Sequence, residues 1–129
     1  MRHSRELAEL LLHKAAQDEF VIEKLISDAA SPEEVIGFHA QQAIEKVLKA
    51  VLALHAVRCG KVHNLGLLLD LLRDHDIPFP AEFEEVRRLT PFAADFRYQD
   101  APPEQAVNRS WAVNAVRRVR AWAEAILAQ

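Results

Sequence analysis

Little in this chain favours an extended or loop-rich fold. Only three of its 129 residues are glycine, and no segment alternates polar and apolar residues at the period of a strand. A sheet is therefore not expected. The single cysteine, Cys59, excludes an internal disulfide framework and suits a reducing compartment. Long apolar runs are missing as well. The first stretch, MRHSRELAELLLHKAAQDEF, interrupts its leucines with Glu, His, Lys and Gln, so it reads as neither a signal peptide nor a membrane span. Nor is there an excess of positive charge: the net charge is -3 and the pI near 6.1. That balance argues against a domain wrapped in nucleic acid and leaves room for a local basic patch. No histidine follows His75, and no repeat or low-complexity tract is visible.

What is there is helical periodicity. Half of the residues are hydrophobic, and a chain of this length can bury one core without disulfides or metal. These features predict a single all-α domain over residues 1–129, cytoplasmic, built as an antiparallel four-to-five-helix up-and-down bundle. The first helix is expected over about 4–28, with Leu7, Leu11, Val21 and Leu25 facing the core. Ser31-Pro32-Glu33-Glu34 has the residues of a helix start, Ser as N-cap and Pro at the first helical position. The second helix should run to about Val57, before Gly60, and bury Ile36, Ala40, Ile44, Val47, Leu48, Val51 and Leu54. His63 or Asn64 starts a third helix through about Arg73, with Leu65, Leu68, Leu69 and Leu72 inward. Pro78, Pro80, Pro91, Pro102 and Pro103 mark boundaries, because proline cannot donate within a helix. They bracket a short helix over about 81–89 and an irregular segment holding Phe92, Phe96, Arg97, Tyr98 and Asp100. A last helix, from about Pro103 to Ala128, turns Trp111, Ala115, Val119, Trp122 and Ile126 to one side.

The chemistry concentrates on the second helix. Gln41, Glu45 and Lys49 are spaced four apart and stand one above another on one face. A solvated face with a Glu–Lys pair contributing about 0.2–0.5 kcal/mol is one reading. Phe38 and Leu52 share that face, however, which implies that something covers it. A covered Glu can hold an arginine in a fixed position, and Arg97 is the candidate partner. His63-Asn64 admits three readings: helix cap, metal ligand or catalytic pair. The other histidines show no ligand spacing with one another or with Cys59, so neither metal nor cofactor is expected. Arg58 and His63 are separated by four residues, a spacing that matches a class of metal-independent ribonucleases. In that role the Arg stabilises phosphate charge while the His handles the 2′-hydroxyl proton. Arg109, Arg117 and Arg120 form a sector of the last helix that is either plain surface or a face for a phosphate or an acidic partner. Arg97-Tyr98 either anchors a ligand's phosphate and base or pins its loop to the bundle.

Three motifs in order carry a family resemblance. Gln41-Gln42-Ala43-Ile44-Glu45-Lys46-Val47-Leu48-Lys49, then His63-Asn64-Leu65, then Arg97-Tyr98-Gln99-Asp100 resemble the HEPN domain, with Gln99 where a proline is usual. The likeness covers nearly the whole chain. It implies a helical bundle that forms a homodimer, similar to domains encoded beside or fused to a minimal nucleotidyltransferase, often as toxin–antitoxin pairs. Carried over by position, Gln41, Glu45, Lys46, Lys49, His63, Arg97 and Tyr98 match the family's recurrent polar residues. In the nuclease branches the Arg–His pair lies on a late helix, which the absence of histidine after His75 rules out here. The expected function is therefore a dimeric nucleotide- or nucleic-acid-binding module acting with a minimal nucleotidyltransferase. A metal-independent endoribonuclease using Arg58 and His63 comes second, and a structural helical partner without ligand third.

Overall fold

One helix of this chain is buried nearly all the way round, and the other elements are arranged on it. The computed structural model describes residues 2–93 and 108–129. Among them it has α1 (Arg2–Leu25), α2 (Glu33–Leu54), α3 (Leu65–Asp74), a 3-10 helix (Ala81–Phe92) and α4 (Arg109–Leu127), with no strand. The all-α bundle expected from the periodicity is the fold that forms. α2 packs against each of the other four elements. Its sequence explains why: Ile36, Ala40, Ala43, Ile44, Val47, Leu48, Ala50, Val51 and Leu52 are all at most 1% exposed. They leave no wide polar face, which is the pattern of a core helix. The expected stripe holds except at Leu54, which is half-buried.

α1 runs antiparallel to α2, since its first turns lie beside the end of α2 while Asp18 reaches His39 and Lys46. Its inward residues are Ala8, Ala15 and Ile22, not the expected leucines. Leu11, Val21 and Leu25 are half-buried and Leu7 is 48% exposed. Small residues line the seam because helix axes approach closest where side chains are short. α4 is antiparallel to α1 in turn. Arg5 donates to the carbonyl of Leu127 at one end, and Arg109 to those of Asp28, Ala29 and Ser31 at the other.

Helix ends correct several expected boundaries. Pro32, not Ser31, is the N-cap of α2, with extended backbone (φ −63°, ψ 130°) and a carbonyl that accepts from Val35 and Ile36. α2 stops at Leu54, short of Val57. Ala56 turns left-handed (φ 59°), Val57 N–H bonds Leu52 O and Ala56 N–H bonds Ala53 O. That crossed pair is a Schellman cap. α3 ends the same way at Asp76 (φ 56°), with Ile77 bonded to Leu72 O and Asp76 to Arg73 O. In both caps the preceding histidine, His55 or His75, donates through Nδ1 to the carbonyl four residues back, at 2.9 Å. These two histidines are structural.

α3 itself follows expectation. Leu65, Leu68, Leu69 and Leu72 are 0% exposed, and the Asn64 side chain accepts from Leu67 N–H at 3.2 Å. The expected short helix over 81–89 is instead a 3-10 helix that continues through Pro91 to Phe92. Phe83, Val86, Leu89 and Phe92 are all buried, and they recur every three residues. Three residues per turn is the 3-10 period, at which such side chains line up on one edge. α4 begins at Arg109, later than the expected Pro103, because Asn108 is extended and its side chain accepts from Trp111 N–H at 2.9 Å. Its buried face is Ala112, Val113, Val116, Val119 and Ala123. Trp111, Ala115, Trp122 and Ile126 pack at its margin, Trp122 edge-on to Phe83 with centroids 5.4 Å apart. Phe96, Arg97, Tyr98, Gln99, Asp100, Pro102 and Pro103 lie outside the described residues. No helix among the described residues is long and apolar enough to cross a membrane.

Two glycine exchanges of opposite sign test this account. A Cβ on Gly37 would lie 2.5 Å from the Phe92 ring, which is itself buried, so Gly37→Ala should destabilise by about 1–3 kcal/mol through overpacking. Ala56→Gly relieves a left-handed alanine and should stabilise by about 0.5–1 kcal/mol after the unfolded-state entropy of glycine is counted. Urea unfolding measures both; a reversed sign at either position would show that the packing or the cap is misassigned.

Candidate functional site

Three successive turns of α2 carry polar groups into a largely apolar interior. Gln41 is 0% exposed and Glu45 5%. Each therefore needs partners within the protein. Glu45 accepts from Gln41 Nε2 at 2.9 Å and from Lys49 Nζ at 3.1 Å, the groups one turn before and one turn after it. Its third partner is His63, whose Nδ1 lies 3.1 and 3.2 Å from the two carboxylate oxygens. Gln41 also donates to the His63 carbonyl at 3.0 Å and accepts from Gln42 at 2.7 Å. Among the described residues no buried side-chain nitrogen or oxygen lacks a partner.

The expected Gln41–Glu45–Lys49 ladder is thus a buried network, and His63 joins it from the segment before α3. A carboxylate can only accept, so the contact requires the proton on His63 Nδ1 and leaves Nε2 as the free lone pair when the ring is neutral. Arg97, the anticipated partner of Glu45, and Tyr98 fall outside the described residues. Lys46 belongs to a different cluster: it pairs with Asp18 of α1, which also accepts from His39 Nδ1 at 2.9 Å. Asp18 and His39 were not anticipated from the sequence. A signal was available, since Asp18 shares a face with Ala15 and Ile22 and so had to be buried.

Arg58 and His63 are not brought into contact. Arg58 is exposed and makes no hydrogen bond or ion pair with another described residue. It borders a cleft of about 680 Å³ between the first turns of α1 and the turn after α2, together with Lys49, Cys59 and apolar Leu7, Leu11 and Val57. Lys49 therefore links the buried network to the open cleft. Burial raises the Cys59 thiol above its ordinary pKa, opposed by the nearby Lys49 charge and reinforced by Glu45. No group of three or more His, Cys, Asp or Glu among the described residues could hold a metal ion.

The arginine sector of α4 is occupied within the chain. Arg109 holds the α1–α2 loop and Glu33, Arg117 pairs with Glu23 at 2.8 Å, and Arg120 with Glu19 at 2.9 Å. Arg118 pairs with Glu82 of the 3-10 helix. The Glu19 hydrogen bond is the main reason that the Arg120 pKa is raised. These arginines strap elements together and do not form the free basic face that their spacing allowed.

The fold and the network define a class: an all-helical bundle whose central helix carries a buried acid–amide–cation ladder beside an open cleft. The chain belongs to the HEPN domain family, whose profile matches residues 8–126. No curated protein and no solved structure matches it.

Removing the acid at the centre should be costly. Glu45→Ala leaves Lys49 and Gln41 without their acceptor in a buried setting, with an expected loss of about 3 kcal/mol or more in urea unfolding. A loss within error would show that the network is solvated. Cys59 offers a second measurement. Because its pKa is raised on folding, its contribution to stability is present below the ordinary thiol range and is lost as pH rises through the folded pKa. Alkylation of the folded protein should turn on at higher pH than that of the unfolded chain, and Lys49→Met should move it higher still. A midpoint unmoved by Lys49→Met would remove the charge from this account.

Proposed function

We propose that the chain is a dimeric nucleotide- or nucleic-acid-binding HEPN module that acts beside a minimal nucleotidyltransferase, as one member of a toxin–antitoxin-type pair. The observation that carries this reading is the Glu45 network. It holds Lys49 at the edge of a cleft that Arg58, without a partner among the described residues, also lines, and it fixes the orientation of His63. Such an arrangement supports recognition of a phosphate by fixed donors. Gln41 and Glu45 are too buried to touch a ligand and serve to position the others, whereas Lys46, Lys49 and His63 keep some exposure. Dimerisation rests on the family and on exposed Leu10 and Phe20 along α1, outside the cleft. The large aromatics contribute less to such a surface: Phe92 is buried, and Phe38, Trp111 and Trp122 are half-buried within the chain.

The ribonuclease alternative has one specific observation in its favour. A carboxylate on His63 Nδ1 is the orientation a general base needs. Against it stands the lack of any contact between Arg58 and His63.

Filter binding with end-labelled single-stranded RNA in EDTA, alongside light scattering at micromolar concentration, tests the proposal. The protein should scatter as a dimer and retain RNA uncut, and Lys49→Ala should weaken retention about tenfold or more, as expected for a lost charged hydrogen bond. Metal-independent cleavage abolished by either Arg58→Ala or His63→Ala would replace the binding reading with the nuclease. A monomer that neither binds nor cuts RNA would end both.

A further inference from the structure

The cleft between α1 and the turn after α2 has a composition that the nucleotide reading does not use. Its volume of about 680 Å³ lies within the range of small-molecule sites. Its apolar wall is aliphatic: Leu7 and Leu11 on one side, Ala53 and Val57 on the other. Leu7 is 48% exposed, an unusual position for a leucine beside a concave surface, and a ligand body would cover it. The described lining contains no Asp or Glu. Besides His3 and Ser4, it contains two permanent cations of different character. Arg58 has no hydrogen-bond or ion-pair partner among the described residues. Lys49 gives one hydrogen bond to Glu45 and has three donors, leaving two for a ligand.

Two further features narrow the occupant. Gly60 is left-handed at φ 54°, and a Cβ placed on it would meet nothing within 4 Å, so the mouth of the cleft beside Arg58 is open. No Phe, Tyr or Trp is found in the described lining. A site for a nucleobase ordinarily supplies an aromatic face for stacking. An aliphatic chain needs only the leucine and valine surface that is present.

We propose that this cleft binds a small oxyanion carried on an aliphatic body, an alkyl phosphate or carboxylate, with the head group on Arg58 and Lys49 and the body between Leu7, Leu11 and Val57. The site shares Arg58 and Lys49 with the RNA-binding reading and adds an aliphatic wall that RNA does not need, so amphiphile binding and RNA retention are measured separately. Cys59 borders it and reports on occupancy: a bound chain shields the thiol from alkylation.

The experiment is calorimetric titration of the full chain with octyl phosphate and octanoate below their micelle concentrations, paired with the rate of Cys59 alkylation by iodoacetamide. Saturable binding with one ligand per chain and slowed alkylation are expected for at least one of the two. Inorganic phosphate, which lacks the body, should bind about tenfold more weakly or worse. Arg58→Ala should cost about tenfold in affinity as a charged hydrogen bond is lost, and Leu7→Ser should weaken binding while leaving RNA retention unchanged. Both residues are exposed, so the variants should fold. Octyl phosphate binding unchanged in Arg58→Ala, or without protection of Cys59, would place it elsewhere and overturn the assignment. AMP binding as tightly as octyl phosphate would overturn the aliphatic part of it. Sedimentation with phosphatidylglycerol vesicles, or a Leu7-dependent dimer, without binding of either monomeric amphiphile would show that a membrane or a second copy covers this face instead.

Discussion

Much of this structure depends on the need to satisfy one buried carboxylate. Glu45 sits among Ile44, Leu48 and Leu52, with a side chain only 7% exposed. Moving a lone carboxylate into such surroundings costs several kcal/mol unless it is paired and hydrogen-bonded. Its donors come from three places: one turn back on the same helix, one turn forward, and the segment that leads into α3. Because Gln41 also grips the His63 carbonyl, that segment is held by both side chain and backbone. Asn64 follows directly and caps α3, so the network sets where α3 begins and which leucines meet α2. An apolar pair in its place would do as well or better for net stability. What the polar network supplies is position.

The same logic, more weakly, joins the outer helices. Asp18 ties α1 to α2 through His39 and Lys46, and the arginines of α4 tie it to α1 and the 3-10 helix. Arg109 and Arg120 are partly buried and make several bonds each. Arg117 and Arg118 are more than half exposed, where an ion pair contributes little. Cohesion therefore comes from the apolar faces, and the straps select one register among several that those faces would tolerate. This is why a spacing that looked like a ligand face proved internal. A helix that must lie antiparallel to an acidic neighbour, with Glu19 and Glu23 one turn apart, draws the same arginines.

Periodicity made the helices legible, and it made the four leucines of α3 legible with them. It failed where two readings share one pattern. Leu7, Leu11, Val21 and Leu25 are spaced as well for a core face as Ala8, Ala15 and Ile22 are, and hydrophobicity alone prefers the larger side chains. Close helix packing prefers the smaller ones. The short helix expected over 81–89 carries only Phe83 and Val86 on its apolar side, too few to tell a period of three from 3.6, and Pro91 set Phe92 apart as loop although it continues the same three-residue spacing. At the site, the ladder on α2 and the partnership with a distant polar group were visible in outline. The identity of that partner was not, because a contact between residues 45 and 63 depends on how the intervening Schellman turn folds back. That turn needs a left-handed Ala56, which no residue preference suggests.

The distribution of charge around the turn bears on all the functional readings at once. Glu45 lies within 3.1 Å of both Lys49 and His63, so it offsets their pull on an approaching anion. Arg58 has no such counterweight among the described residues. It stands between left-handed Ala56 and Gly60, on a segment where the chain reverses and the side chain is carried out to solvent. For the proposed phosphate ligand, whether RNA, a nucleotide or a smaller anion, the cations of this turn that Glu45 does not offset are Arg58 and the exposed Lys61. His63 is the residue that separates those possibilities. Only a reaction needs its Nε2 as a base, whereas binding needs nothing from it beyond its grip on Glu45.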